Sequence, residues 1–442
     1  SLLRGLTVPS DLVNDEGISS ENGSGEIEKE KKMPKTLIVR HELCEMHRSC
    51  PSFERGGPEP PPENSKRLEV IYNSDTGVLS WDEFSALEWE NNPPKAMLAD
   101  ISRVHDFNYL KRLEKLCSSI PDIPTAICHL DGDTAVSRKS YDAALRAAGS
   151  VCLAIDRVCG PDRKNRNAFC AVRPPGHHAG PRGLVTTCND KEGSNGFCLL
   201  NNVAIGASYA RHMYRGLNGV SKVAIVDFDV HHGNGTEAIV RSLIPTEIVS
   251  EFSTPMCTGT LRQTEGRPWL SEDDADNCFY LSVHGYGKKD PIQGPNGWFY
   301  PGSGATSADL NAFLSSSCGH GENFSDLDKS IGAPSAMSAE ITKGCEKSEK
   351  SSGKKSLILN MGYRQTNPDE GRLKWREVYR NMIFPSLIEF NPDLILVSAG
   401  FDAHYKELIN FDYISLVEED FEWVTTQLVQ IANRCCDGKL VS

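Results

Sequence analysis

Val223-Ala224-Ile225-Val226-Asp227-Phe228-Asp229-Val230-His231-His232-Gly233-Asn234-Gly235 decides how this chain is read. Four apolar residues run straight into two aspartates and two histidines. In extended backbone, successive side chains alternate faces. Asp227, Asp229 and His231 therefore point the same way, which is costly for like charges unless a cation sits among them. One imidazole nitrogen and two carboxylate oxygens make a plausible catalytic zinc set with a position left for water. The remaining ligand has to come from elsewhere in the chain.

Two other apolar runs end in the same manner. Ala168–Val172 leads into Arg173-Pro174-Pro175-Gly176-His177-His178, and Leu394–Ser398 leads into Ala399-Gly400-Phe401-Asp402. Asp402, at a neighbouring strand end, is the natural third ligand. A lone Asp or His at such a place is an ordinary cap or turn residue, but metal-competent groups after three strands are not explained that way. Helical periodicity falls between the strands, at Ser140–Val158, Asn202–Tyr214, Trp375–Ile388 and Glu418–Cys435. Strands alternating with helices predict a mostly parallel sheet covered on both faces, an α/β fold with its ligands beyond the carboxyl ends of the strands. Thr36–Arg40 reads as a first buried strand.

His177 and His178 follow a stiff Pro-Pro-Gly turn. Neighbouring histidines can divide labour, one orienting water and the other moving the proton. Each needs an acceptor on its second ring nitrogen to fix its tautomer. Asp227 can serve one and Asn234 the other, the uncharged Asn leaving its histidine's basicity unraised. A pair of metal-binding histidines is the alternative.

The chain has 442 residues, a formal net charge of −13 and 39% hydrophobic residues. That is enough for one large domain or two ordinary ones. The acidic balance argues against direct nucleic-acid binding and suits a basic partner or simple solubility. Fifteen scattered cysteines without a CxxC pair read as thiols of a reducing, intracellular setting. No apolar run reaches the ~18 residues that would suggest a membrane span. Residues 1–35 are polar and read as a flexible lead-in; Lys31-Lys32-Met33-Pro34-Lys35 has the composition of a nuclear-import signal or of a solvated tail. Thr258–Asp276 is polar and acidic, and 303–355 reads as a low-complexity surface insertion. Beginning at Ser1, the chain is expected to be a segment of something longer.

Arg173–Ala179, Gly196-Phe197-Cys198-Leu199-Leu200-Asn201-Asn202, Val226–Thr236, Tyr300-Pro301-Gly302-Ser303-Gly304 and Ser398–Ala403 resemble the zinc-dependent histone deacetylase family, in its order and from about residue 36 onward. Asn234 and the Arg-Pro-Pro-Gly opening are closer to its class II branch. The resemblance implies a three-layer α/β/α arginase/deacetylase-like domain over 36–442, with a sheet of about eight strands. It implies zinc (Zn2+) held by Asp229, His231 and Asp402, with His178 as general base and acid and His177 in support. It places Gly196 and Phe197 in an acetyl-lysine tunnel, faced by Tyr300 where the family often has Phe, a hydroxyl expected to alter which acyl chains fit. It adds a structural potassium ion (K+) near Asp227, Asp229, His231 and Ser282. Implied substrates are acetylated histone tails or other acetyl-lysine proteins, with a corepressor complex as partner, in nucleus or cytoplasm. Asp131 and Asp133 are candidate rim carboxylates that would grip a peptide backbone. Acetylated polyamines are the rival substrate, a corepressor scaffold without turnover is a third reading, and an arginase-type manganese hydrolase fits less well.

Three features depart from the family pattern or stand outside it. The family's Gly-Gly-Tyr loop, with its oxyanion-stabilising tyrosine, would follow Gly438–Ser442, so this chain alone is expected to be weakly active or inactive. The usual His-Pro-Glu-Arg-Pro turn stands as Pro61-Pro62-Glu63-Asn64-Ser65, predicting a changed rim. His41, Cys44, His47 and Cys50, spaced by three, are a possible second zinc site or ordinary loop residues.

Overall fold

The computed structural model describes residues 35–51, 61–188, 190–216, 219–289, 297–306, 349–350 and 355–442. Of the expected lead-in only Lys35 is among them, and the insertion's residues 307–348 and 351–354 lie outside them.

The chain folds around an eight-stranded parallel sheet. Its strands are β1 (Lys35–Val39), β2 (Glu88–Glu90), β3 (Asn165–Cys170), β4 (Val223–Asp227), β5 (Cys278–Gly285), β6 (Leu357–Tyr363), β7 (Leu394–Ser398) and β8 (Leu440–Val441), in the spatial order β6-β5-β4-β7-β8-β3-β1-β2. The pleat feeds two separate cores. Val223, Ile225, Leu394 and Leu396 pack on one face with Ala144, Ala148 and Ile155 of helix α1 (Ser140–Cys159) and Ala204 and Ile205 of α2 (Asn202–Tyr214). Ala224, Val226, Ile395 and Val397 pack on the other, with Trp375 of α4 (Pro368–Val378) and Phe421, Val424 and Leu428 of α5 (Glu418–Cys436). A strand apolar on both sides must be buried on both sides, and burying these two apolar surfaces is what holds the layers together.

α3 (Asn234–Arg241) leaves the end of β4 directly. α2 is capped by Asn201, whose side chain accepts the Ala204 N–H, as a helix start requires. The helix expected at Trp375–Ile388 starts earlier, at Pro368, behind an Asn367 cap. It then passes through a π-helical turn, Tyr379–Ile383, into Phe384–Phe390. Pro385 lacks the amide that an unbroken helix would use, and a widened turn ahead of it absorbs the mismatch. The polar stretch from Thr258 holds a strand, Thr258–Glu265, paired antiparallel with Thr246–Ser253 in an exposed hairpin. No described helix is long and apolar enough to cross a membrane.

Candidate active site

Register brings the motifs together. β4 lies between β5 and β7, with Asp227 opposite Ser282 on one side and Ser398 on the other. β4 ends at Asp227, so the pleat does not carry on to His231 as the alternation argument supposed. Two local turns do its work instead. The Asp229 N–H donates to Asp227 Oδ1 (3.1 Å), and the His231 N–H donates to Asp229 Oδ1 (2.8 Å). Asp227 is thereby set apart from the other two. It is fully buried and serves His177, its Oδ2 lying 3.0 Å from His177 Nδ1 and accepting from the Tyr280 hydroxyl at 3.3 Å.

Asp229, His231 and Asp402 converge, with one ligand atom from each lying within 4.8 Å of the others. His231 Nδ1 faces both carboxylates, 2.7 Å from Asp402 Oδ2 and 3.3 Å from Asp229 Oδ1. Asp402 is fixed by the Val230 N–H (2.9 Å). A side chain at Gly400 would overlap Asp229, so the close approach of the two loops depends on that glycine. Burial opposes a charged imidazole here, yet Asp402 and Asp229 push His231 up to about 10. Two carboxylates thus demand positive charge in a buried space, and a divalent cation fits that demand.

His177 and His178 stand side by side, their rings 4.0 Å apart. His177 is also pulled two ways: burial lowers it, Asp229 and Asp227 overcome that, and it rises to about 9. His178 goes the other way. Burial, and then the charges of His177 and His231, hold it well below its ordinary range, while its Nδ1 meets Asn234 Oδ1 at 2.8 Å. His178 is thus a neutral imidazole beside the cation site, suited to take up a proton.

These groups share a cavity of about 610 Å³, whose lining includes Gly196, Phe197, Tyr300 and Asp133. Asp133 does not stand free at the rim. Its carboxylate accepts from Ser194 Oγ (2.7 Å) and Thr134 Oγ1 (2.8 Å). Asp131 accepts the N–H groups of Thr134 (2.7 Å), Asp133 (3.0 Å) and Asn195 (2.8 Å). Both brace the loop Ser194–Phe197. Ser282 Oγ, placed in the expected potassium set, is engaged with His284 Nδ1 at 2.7 Å.

Of the Pro61–Ser65 stretch, Pro62 and Glu63 line the cavity. Glu63 is buried and makes a two-point ion pair with Arg173, its Oε2 accepting from Nη2 at 2.7 Å. This pair anchors the start of the Arg-Pro-Pro-Gly-His-His turn, and nothing in a proline-rich stretch signalled it. The spaced His/Cys set does not gather on a metal either. His41 caps a turn by accepting the Leu43 N–H. His47 contacts Ser140 Oγ (2.7 Å) and Glu63 (3.4 Å). Burial raises the thiols of Cys44, to about 11, and Cys50.

The histone deacetylase domain model matches residues 61–442. The chain belongs to the histone deacetylase family. Type-2 histone deacetylase 2 of Dictyostelium discoideum is 31% identical over 435 residues, covering 92% of this chain and 19% of its own length. Histone deacetylase 9 of Homo sapiens is 26% identical over 408 residues, 86% of this chain and 29% of the human protein. This deacetylase-family chain spans 19% of the length of both Dictyostelium type-2 relatives. The crystal structure of the HDA15 HD domain superposes with a TM-score of 0.58 at 22% identity, covering 92% of this chain and 84% of that one, a likeness of fold.

Proposed function

We propose that this chain carries the catalytic site of a zinc-dependent deacetylase acting on N-acetyl-lysine in histones or other proteins. The observation that carries this reading is the placement of a neutral imidazole, His178, beside the converging Asp229, His231 and Asp402 in one cavity. Zinc bound by those three residues would polarise the acyl carbonyl and acidify a water molecule.

The protein's own part is proton handling and positioning. His178 takes the water's proton at Nε2, because its Nδ1 is committed to Asn234. It returns that proton to the departing amine nitrogen. His177, charged against Asp227 and Asp229, adds positive potential where the oxyanion forms. Gly196 and Phe197 line the way in for the lysine stem. Among the described residues, Tyr300 is the tyrosine lining the cavity, and its hydroxyl turns to Ser194. A potassium ion near Asp227, a corepressor partner and a nuclear or cytoplasmic location belong to the same proposal.

The test is deacetylation of histone-tail acetyl-lysine peptides against acetylpolyamines, with zinc and with a chelator. Peptide turnover lost with chelator supports the reading. Preference for the polyamine, or turnover indifferent to chelator, overturns it.

A further inference from the structure

His231 presents Nδ1 to Asp229 and Asp402, the two carboxylates of the cation site. Among the described residues, its other ring nitrogen, Nε2, has no hydrogen-bond partner. A metal-binding imidazole ordinarily donates that second N–H to an acceptor, which fixes the orientation of the ring. His177 and His178 have such acceptors in Asp227 and Asn234. His231 needs another means of holding its plane.

The ring is held by its face. Phe299, fully buried, lies against it with centroids 5.0 Å apart and planes only 9° apart, an offset stack. Tyr413, also buried, stacks on Phe299 in turn, at 4.1 Å and 21°. Both outer rings are tied to one backbone turn: the Phe299 N–H donates to Gly287 O (2.8 Å), and the Tyr413 hydroxyl reaches Lys288 O (2.7 Å) and Gly287 O (3.2 Å). The strand end beside them bears no side chain. A Cβ on Gly285 would come within 2.6 Å of the Phe299 ring and 3.0 Å of Tyr413 Cβ. The Gly285 N–H donates to the carbonyl of Val230 (2.8 Å), the residue before His231. The end of β5 therefore fixes the ligand loop and also makes room for the rings that back the ligand.

We propose that Phe299, backed by Tyr413, is a positioning residue that holds the His231 imidazole in a single plane and so sets how tightly the chain keeps its metal. This rests on the proposed reading of Asp229, His231 and Asp402 as a zinc site. Phe299 acts on the ion only through His231. An aliphatic side chain in its place has no flat face to offer, so the imidazole gains freedom to turn about its Cβ–Cγ bond, and binding has to remove that freedom again.

The test measures the zinc affinity of the full 442-residue chain by competition with a coloured chelator, and the visible absorption of Co2+ bound in place of zinc. Phe299→Leu should weaken zinc by about ten- to a hundredfold, as loss of an outer partner of a metal-binding histidine does. It should also shift the Co2+ bands, because the imidazole no longer meets the ion in one orientation. Tyr413→Leu, which removes only the backing ring, should weaken zinc in the same direction and by less. Tyr413→Phe keeps the stacked ring and should leave both readouts as in the unaltered chain. Unchanged zinc affinity and unmoved Co2+ bands in a folded Phe299→Leu chain overturn the proposal, even if its Tm is lowered, since lost packing alone would do that. If Phe299→Leu does not fold, the Tyr413 pair decides, and equal zinc affinity of Tyr413→Leu and Tyr413→Phe overturns it. Zinc that fails to bind the unaltered chain, or binds Asp402→Ala equally well, overturns the reading of the metal site itself.

Discussion

The Nδ1 of His178 lies 2.8 Å from the Oδ1 of Asn234, an amide without charge. Its neighbour His177 has a carboxylate, Asp227, in the corresponding place at 3.0 Å. Two adjacent imidazoles in one buried pocket are thereby driven apart, His177 toward the charged form and His178 toward the neutral one.

Replacing Asn234 by Asp would cancel that separation. A negative charge favours the imidazolium, so the His178 pKa rises. The base is then protonated over more of the neutral range. The acidic limb of the kcat/KM profile should move to higher pH. A limb that stays in place removes His178 from the role of general base.

Cation binding should stabilise the fold as well as supply reactivity. Asp229, His231 and Asp402 converge only in the folded chain, so an ion held there would bind the folded chain and not the unfolded one. At a hundred times its Kd, such a ligand contributes about 2.7 kcal/mol. Calorimetric melting of the chelator-treated chain should show a rise in Tm when zinc is added. Asp402→Ala should lose that rise together with turnover. A zinc-dependent rise retained in Asp402→Ala would place the ion elsewhere.

Much of this was legible in the sequence because the strands are buried on both faces. Val223–Val226 and Leu394–Ser398 are apolar without alternation, and their ends carry the polar groups that the register then aligns. The clustering of Asp229, His231 and Asp402 beside the histidine pair was legible from those strand ends, although local turns rather than the pleat place Asp229 and His231. What stayed hidden depends on contacts between segments far apart in the chain. Glu63 sits among prolines 110 residues from Arg173, and no local pattern reports an ion pair of that separation. Ser194, lying between two unremarkable residues, carries no sign of the bonds it makes to Asp133 and Tyr300. Asp131 and Asp133 were legible as candidate rim carboxylates, but not as ones already engaged by Thr134, Ser194 and Asn195.

The Glu63–Arg173 pair predicts a defined response to acid. Burial opposes the Glu63 charge, but His47 and Arg173 overcome it, and the carboxyl falls far below its usual 4.5. A depressed carboxylate stabilises the fold fully above its unfolded value, and that stabilisation is lost as pH drops below about 4.5 toward the folded value. Glu63→Gln leaves the Arg173 guanidinium buried without its counter-charge, a cost of about 3–5 kcal/mol at neutral pH. Denaturant melts of the two proteins should therefore differ most at pH 7 and converge as the solution is acidified below 4.5. A gap that widens in acid would have the wrong sign for this pair.

Gly196 offers the sharpest separation of site from fold. Its φ of +51° is a conformation in which an added Cβ costs about 1–2 kcal/mol. That Cβ would also overlap the His178 ring and press on the Tyr300 oxygen. His178 would have to move, and a misplacement of about 1 Å in a reacting group costs on the order of a hundredfold in rate. Gly196→Ala should therefore lower kcat about a hundredfold while circular dichroism and zinc binding stay close to those of the unaltered chain. Gly132→Ala, where an added Cβ meets nothing within 4 Å, is the matched control in the Asp131–Thr134 loop that Ser194 and Asn195 bond to. Equal activity of the two variants would mean that the packing of Gly196 against His178 does not set the position of the base.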